Sequence, residues 1–205
     1  MYKGFLTGIV FYLLICIGRG EAQTLNPYKY KKEPAIGIHF SLYDFNSASL
    51  LRTAGLSQLL RSSSFTQIGN MQPGLAISYQ DGLTNHLDYV VRYTGAFVTY
   101  PFPNYNPDAD AEPYLLSSLD AFLELKLLSD AYWVSPFLSE GIGAFDYQSN
   151  FGAYMPLGVG LQVNFFDQAF LVLHVQYNVG VSENAAATFY YSIGVAGNIS
   201  SGKKK

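Results

Sequence analysis

The chain has 205 residues and a formal net charge of −3, and only 13% of its residues are charged. That charged share is about half of the share in soluble globular proteins, whereas aromatic residues reach 16%, with 17 Tyr and 15 Phe. A weakly negative chain gives no reason to expect nucleic-acid binding. Low charge combined with many aromatic residues suits a surface that faces lipid, with aromatic residues at the two membrane interfaces.

The N-terminal segment, residues 1–22, predicts a signal peptide. Lys3 supplies a basic start, and residues 5–17 form an apolar run that is too short to span a bilayer convincingly. The small residues Gly20 and Ala22 then stand at the two positions that a signal peptidase reads, so cleavage is expected after Ala22. The chain is therefore expected to be exported.

The only cysteine, Cys16, lies inside this segment. Once the segment is removed, the remaining chain would have no disulfide and no cysteine nucleophile or metal ligand. A lipidated Cys16 is the less favoured alternative, because the preceding Ile15 is not the small residue that a lipidation motif requires.

After residue 34, the chain alternates between apolar and polar residues, which predicts β-strands because successive side chains leave opposite faces. The pattern is clearest in residues 154–199, where aliphatic residues alternate with glycines, amides and one histidine. The predicted strands lie at about 35–45, 73–80, 87–100, 114–128, 132–145, 156–165, 171–179 and 191–199. Several of these strands are long for a globular sheet.

Long strands with one apolar face and one polar face are typical of a transmembrane barrel with lipid outside and a polar interior. The predicted fold is all-β, an eight-stranded antiparallel transmembrane up-and-down β-barrel over residues 35–199. A periplasmic lead-in, 23–34, is expected before the barrel, and a basic C-terminal tail, 200–205, is expected after it.

The connections are predicted to alternate in length. Those after the first, third, fifth and seventh strands are the longer or more polar ones, at 46–72, 101–113, 146–152 and 182–186. This alternation is typical of short periplasmic turns and longer external loops, and it places both termini in the periplasm.

The first long connection contains a partly helical pattern. Residues 47–64 carry spaced leucines, Ser47 is the expected N-cap and Gly55 weakens the helix. Two interpretations stay open, a helix at the membrane interface or over the barrel mouth, and a loop that packs on itself.

One strand breaks the pattern. Val134, Leu138 and Ile142 mark the apolar face of the fifth strand, and Glu140 shares their phase. A carboxylate facing lipid is unfavourable. Either a bulge near Ser139 moves Glu140 to the other face, or Glu140 lies near a membrane interface.

The polar face predicts a network of charged and amide side chains inside the barrel. Its members are Asp88, Arg92, Asp120, Glu124, Lys126, Gln162, His174 and Gln176, with Asn164 and Asn198 on the same face. An eight-stranded barrel is just wide enough for side chains to fill. Acids and bases on neighbouring strands favour a network that satisfies its own charges, and the alternative is a narrow gated pore or proton path.

Catalysis, metal and cofactors are not predicted. The three histidines, His39, His86 and His174, lie in separate segments, and the sequence has no GxSxG elbow, HExxH motif or phosphate-binding loop. A third alternative is a soluble, lipocalin-like ligand-binding barrel, which would reverse the pattern and enclose the apolar face.

Six segments carry a resemblance to a known family. They are GIHFSLYDF (37–45), PGLAISY (73–79), VTYPFPN (98–104), KLLSDAYWVSPFLSEGIGA (126–144), YMPLGVGLQVNFFDQAFLVLHVQYNV (154–179) and FYYSIGVAGNI (189–199). The chain resembles the barrel of OmpA-family outer-membrane proteins of the Bacteroidota, most strongly after residue 126.

The resemblance implies a location in the outer membrane of a Gram-negative cell, among lipid and lipopolysaccharide. It also implies a structural or surface-interaction role, with loops 46–72 and 101–113 as the expected contacts for a surface protein. Relatives often continue into a periplasmic peptidoglycan-binding domain. Because the sequence ends in a lysine-rich tail at 200–205, peptidoglycan binding is not implied.

Overall fold

Eight antiparallel strands form one closed barrel, in which each strand pairs with the next along the chain and the last pairs with the first. The computed structural model describes residues 29–62, 67–102, 112–165 and 169–199. The strands are β1 (Ala35–Asp44), β2 (Gln72–Gly82), β3 (Leu87–Val98), β4 (Tyr114–Lys126), β5 (Val134–Tyr147), β6 (Asn150–Phe165), β7 (Ala169–Gly180) and β8 (Thr188–Asn198). This topology confirms the predicted all-β, eight-stranded antiparallel barrel.

Four predicted features lie outside the described residues, wholly or in large part. They are the signal peptide at 1–22, half of the lead-in at 23–34, most of the loop at 101–113 and the tail at 200–205. Within the described ranges, no helix is long and apolar enough to cross a membrane.

The barrel closes with a shear of ten residues. The row of paired residues that starts at Val134 passes through Val163, Leu171, Val195, Ile38, Ile77, Tyr93 and Leu119, and it returns to β5 at Ala144. With a rise of about 3.3 Å per residue and a strand spacing of about 4.8 Å, this shear tilts the strands by about 40°. The interior is then wide enough only for side chains.

Each strand keeps its alternation along its length, so the two barrel faces differ sharply. Most outward residues are apolar and exposed, as shown by Ile38 at 67% and Ile142 at 72%. Inward residues include five charged side chains that are at most 4% exposed. They are Asp88, Arg92, Asp120, Glu124 and Lys126.

The predicted alternation of loop lengths is wrong at the connection between β5 and β6. The ladder continues through the pair Tyr147 and Asn150, so that Gln148 and Ser149 alone form the turn. Both turn residues have positive φ angles, 51° and 64°, as in the mirror-image turns that match strand twist. The β4–β5 connection, residues 127–133, is longer than this turn.

Two short helices follow β1, α1 (Phe45–Ala54) and α2 (Leu56–Arg61), before a 3₁₀ turn at Ile68–Asn70. The predicted Ser47 cap is wrong. The last residue of β1, Asp44, is the N-cap, and its Oδ1 accepts a hydrogen bond from the Ser47 backbone N–H at 2.8 Å. Gly55, with a φ of 83°, separates the two helices.

The first loop partly covers its end of the barrel. Phe45 and Ala48 of α1 are buried, and Phe45 joins the aromatic cluster inside the barrel mouth. In α2, Leu59 is buried, while Leu56 and Leu60 are 60% and 63% exposed. The helices therefore combine a packed side with an exposed apolar side.

Of the two alternatives for Glu140, the bulge near Ser139 is absent. Glu140 pairs with Leu157, and Gly143 pairs with Tyr154 at the same register. Glu140 stays in phase with the exposed residues Leu138 and Ile142 and lies on the outer face.

Candidate functional site

All eight residues of the predicted polar network lie on the inner wall of the barrel and are buried. They form two groups. One lies around Arg92 at the middle of the barrel, and the other lies around Asp88 and Lys126 at the end that carries the chain termini. Asn164 and Asn198, also predicted, are only partly buried at that end.

Arg92 is the centre of the first group. Its Nη2 donates to Asp120 Oδ2 at 2.8 Å and to Gln176 Oε1 at 2.6 Å, and its Nε donates to Asp120 Oδ2 at 3.2 Å. The guanidinium carbon lies 4.9 Å from the Phe122 ring centre and 4.3 Å from the Tyr190 ring centre. Ion pairing and contacts with both aromatic faces compensate for the burial of this charge.

His174 extends this group across the lumen. Arg92 Nη1 lies 3.4 Å from His174 Nδ1, and since an arginine only donates, Nδ1 is the acceptor. Nε2 therefore carries the proton and donates to Ser139 Oγ at 2.8 Å. In a catalytic triad the base is oriented by a carboxylate and takes the serine proton. Here the serine accepts, so the contact fixes the imidazole ring.

The second group consists of ion pairs at the terminus-side end. Lys126 Nζ lies 3.0 Å from Asp88 Oδ2 and 2.8 Å from Asp130 Oδ2. Gln162 Nε2 donates to Asp130 Oδ1 at 2.9 Å. Glu124 is also buried here, and a cation approaches its carboxylate only at 4.0 Å.

That cation is Lys32, a residue that the sequence reasoning missed. Lys32 belongs to the segment before β1, yet its side chain enters the barrel and lies 2.7 Å from Asp88 Oδ2. Its Nζ also donates to Gln80 Oε1 at 3.2 Å and lies 4.7 Å from the Phe170 ring centre. A backbone hydrogen bond from Gly82 N to Lys32 O, at 3.2 Å, fixes the segment across the mouth.

The carboxylates around Lys32 favour its charged form. Burial alone would lower the pKa of Lys32, but the nearby charges of Asp88, Glu124 and Asp130 outweigh burial and raise the pKa above its ordinary value. Lys32 is therefore a charged plug at the terminus-side mouth.

The opposite mouth is filled by aromatic side chains. The cluster contains Tyr43, Phe45, Tyr100, Phe145, Tyr147, Tyr154 and Tyr190. Hydrogen bonds help to position several of these rings; for example, Tyr147 OH donates to Val98 O at 3.0 Å, and Tyr100 OH accepts from Ala186 N at 2.8 Å. The loop-side end is therefore closed by packed rings and by contacts with the β7–β8 connection.

Small cavities remain between these layers. One interior cavity lies between His39, Arg92 and Glu124, another lies between Tyr100, Ser118 and Tyr154, and each has a volume of about 10 Å³. A single water needs about 10–15 Å³ by this measure. Neither of these two cavities is therefore large enough to act as a channel between the two mouths.

The described residues also offer no arrangement for metal binding. Within 29–62, 67–102, 112–165 and 169–199, no three His, Cys, Asp or Glu side chains lie together as a metal site.

The loop-side surface is the other candidate site. Arg52 of α1 and Arg61 of α2 are exposed near the exposed Leu56 and Leu60. The connection 46–72 contains no acidic residue, whereas the loop 101–113 contains Asp108, Asp110 and Glu112. One loop at this end is therefore basic and partly apolar, and its neighbour is acidic.

These features define a closed eight-stranded barrel with an apolar outer surface and a filled, charged interior. No protein-family model matches the chain, and comparison with curated proteins gives no match.

Solved structures are similar to the chain at low identity. The chain is similar to the N-terminal β-barrel domain of Pseudomonas aeruginosa OprF, with 13% identity, a TM-score of 0.48, and coverage of 82% of this chain and 98% of that chain. Neisserial surface protein A (NspA) has 16% identity and a TM-score of 0.48, with 80% and 95% coverage. The Yersinia pestis attachment invasion locus protein Ail has 12% identity and a TM-score of 0.44, with 82% and 96% coverage.

Proposed function

We propose that this chain is an integral β-barrel protein of a Gram-negative outer membrane, with a structural or surface-interaction role through its external loops. The observation that carries the proposal is the reversed distribution of polarity. The outer face is mainly apolar and exposed, and most charged residues of the strands, such as Arg92 and Lys126, lie inside.

This distribution is stable in lipid and unfavourable in water. Contiguous apolar patches on soluble monomers rarely exceed a few hundred Å², whereas here the apolar face continues around the barrel. Aromatic side chains also stand towards both ends of the outer face, as in the girdles of membrane barrels. Examples are Trp133 at the terminus side and Phe151 at the loop side, which are 70% and 71% exposed.

The same distribution argues against a soluble ligand-binding barrel. Such a barrel needs an apolar cavity, but side chains and ion pairs fill this interior and leave cavities of about 10 Å³.

The proposed topology places the chain termini and Lys32 on the periplasmic side, and the helices α1 and α2 on the cell surface. Residues 1–22 act as the signal peptide that exports the chain. The segments that resemble OmpA-family proteins of the Bacteroidota support the same assignment.

Outer-membrane lipid and lipopolysaccharide are the proposed surroundings, and a surface protein is the proposed partner of loops 46–72 and 101–113. Lipopolysaccharide offers phosphates to Arg52 and Arg61 and acyl chains to Leu56 and Leu60. Replacing both loops by short turns should leave the barrel folded and weaken envelope integrity or adhesion. If both properties are unchanged, the surface-interaction role is wrong.

Two measurements test the membrane assignment. The purified protein should migrate differently on a gel before and after boiling, because a folded barrel resists the detergent until it is heated. In cells, the protein should stay with membranes after carbonate extraction. Release by carbonate or salt alone would contradict the assignment.

The filled lumen favours a closed barrel over a narrow gated pore. Replacing Arg92 by Ala should lower thermal stability, because Asp120 is left buried without its cation, and planar-bilayer current should stay at background. Discrete conductance steps in the wild-type protein that change in this variant would support the pore instead.

A further inference from the structure

Glu140 lies halfway up the outer wall of the barrel. The row of paired residues that contains it runs through Asp81, Tyr89, Leu123, Glu140, Leu157, Tyr177, Phe189 and Asp44. The row begins at Asp81, the residue after Gln80, which pairs with Ala35 at the start of β1. The row ends at Asp44, the last residue of β1. Because β5 is four strands from β1 in both directions, Glu140 is at mid-height.

Only apolar side chains surround Glu140 on this face. Leu123 and Leu157 lie directly opposite on the two neighbouring strands, at 48% and 41% exposure, and Leu138 and Ile142 flank it on β5 at 50% and 72%. Among the described residues, no cation lies within ion-pair distance of Glu140. The described part of the chain therefore does not neutralise this carboxylate.

The barrel wall is also locally different beside Glu140. The β5–β6 ladder has no pairs at Gly141 and Ile142, although the register on both sides is the same. The position opposite Gly141 is Pro156, whose nitrogen has no hydrogen to donate to a ladder.

A carboxylate in hydrocarbon is costly unless a charge or a hydrogen bond compensates for it. We propose that the outer face around Glu140, formed with Leu123, Leu138, Ile142 and Leu157, is the docking site for another membrane-embedded protein that presents a Lys or Arg side chain to the Glu140 carboxylate. This inference rests on the proposed function, because only in a membrane does water fail to solvate the outer face.

Charge complementarity selects a different protein over a second copy of this chain. The basic residues of the described strands, Arg92 and Lys126, both point into the barrel. A second copy in contact through the same face would therefore place a carboxylate against a carboxylate, with no cation from the described strands to separate them.

Spin labels at matched positions test the site. Cys16 is the only cysteine, so in a Cys16→Ser chain single labels can be attached through Leu123→Cys or Leu157→Cys beside Glu140. The control is Ile38→Cys, which lies at similar height on the opposite side of the barrel and is 67% exposed. Oxygen accessibility of each label is measured in native outer membranes and in proteoliposomes of the purified protein.

The labels at 123 and 157 should show lipid-like oxygen accessibility in proteoliposomes and several-fold lower accessibility in native membranes. The Ile38→Cys label should be lipid-like in both preparations. In native membranes, adding Glu140→Leu or Glu140→Gln should return both labels beside Glu140 to the lipid value, since each substitution removes the charge.

Several outcomes overturn the proposal. The labels beside Glu140 could show lipid-like oxygen accessibility in native membranes. They could show low accessibility in both preparations, as contact with a second copy would cause. They could also keep low accessibility in native membranes after Glu140 is replaced. Failure of the proposed function would give a different result, because the Ile38→Cys label would then lack lipid-like oxygen accessibility in both preparations.

A photo-crosslinking residue in place of Leu157 then tests the partner's chemistry. The crosslinked peptide should come from another protein and contain a Lys or Arg within an apolar segment. Glu140→Arg should abolish the crosslinked adduct. Replacing the partner's Lys or Arg by Glu, in combination with Glu140→Arg, should restore the adduct. A peptide from this chain, a peptide without a cation, or a failed exchange contradicts the proposal.

Discussion

Lys32 shows how one residue outside the strands completes the charge balance inside them. Asp88 contacts two ammonium groups, those of Lys32 and Lys126. Lys32 Nζ also lies 4.0 Å from the Glu124 carboxylate. Removing one partner of a buried ion pair costs more than the pair contributes, because the remaining charge stays buried. The stability of this end of the barrel should therefore depend strongly on a lysine from the lead-in.

Replacing Lys32 by Met should lower the free energy of unfolding by about 3 kcal/mol. Urea unfolding in detergent micelles measures the change. The matched control is Lys31→Met, because Lys31 is more exposed and lies 3.9 Å from Asp81. That control should cost less than about 1 kcal/mol, and equal effects of the two substitutions would contradict the role of Lys32.

The contribution of Lys32 should also depend on pH. Its pKa is raised in the folded barrel above the ordinary value of 10.5. Its stabilisation is therefore complete below pH 10.5 and is lost as the pH rises through the folded pKa. The difference in urea midpoint between wild type and Lys32→Met should shrink as the pH rises above about 10.5. A difference that does not shrink above that pH would contradict the role of the charged Lys32.

At the scale of elements, the two-residue turn between β5 and β6 is the clearest departure from the sequence interpretation. Residues 146–152 look like a polar loop, yet Tyr147 is buried inside and Phe151 is 71% exposed outside. The alternation thus continues to the turn on both strands. Ser149 accepts a φ of 64°, which costs a residue with a side chain about 1 kcal/mol or more.

Replacing Ser149 by Gly should stabilise the barrel by roughly 0.5–1 kcal/mol, because glycine adopts positive φ without steric cost. Urea unfolding in micelles gives the value. Ser149→Ala is the matched control, since it removes the hydroxyl and leaves the backbone strain. A gain in the alanine variant as large as that in the glycine variant would show that the turn geometry is not the cause.

At the scale of the whole molecule, the single tryptophan reports the position of the barrel in a bilayer. Trp133 is 70% exposed in the β4–β5 connection, at the terminus-side end. In liposomes its fluorescence should be quenched most strongly by lipids brominated near the headgroup end of the acyl chain.

The control for this depth is a Trp133→Phe chain with tryptophan introduced by Ile38→Trp at mid-height. Its fluorescence should be quenched best by bromines deep in the acyl chain. Quenching of neither tryptophan by any brominated lipid would mean that the barrel does not insert.

The sequence predicts whether a strand residue faces the inside or the outside of the barrel much better than it predicts which residues it contacts. Arg92 and Lys126 could be assigned to the interior because a period of two extends along each strand. The contact of Arg92 with Gln176, 84 residues apart, depends on register and shear, which alternation does not specify. The interior position of Lys32 was not predicted because the lead-in has no periodicity. The orientation of Glu140 could not be decided because one unfavourable residue does not show whether a strand bulges.

Seven of the eight strand interfaces join neighbours in the sequence, whereas the seam between β1 and β8 pairs Ala35 with Asn198. Closing so long a loop is slow, because its entropy is lost before its contacts form. The seam should therefore be the last interface to form during folding. A chain that ends before residue 188 would leave β1 and β7 as open edges, and unpaired edges promote aggregation. With β8, the chain forms a closed barrel. Without β8, it would form an open sheet whose edges can pair with other chains.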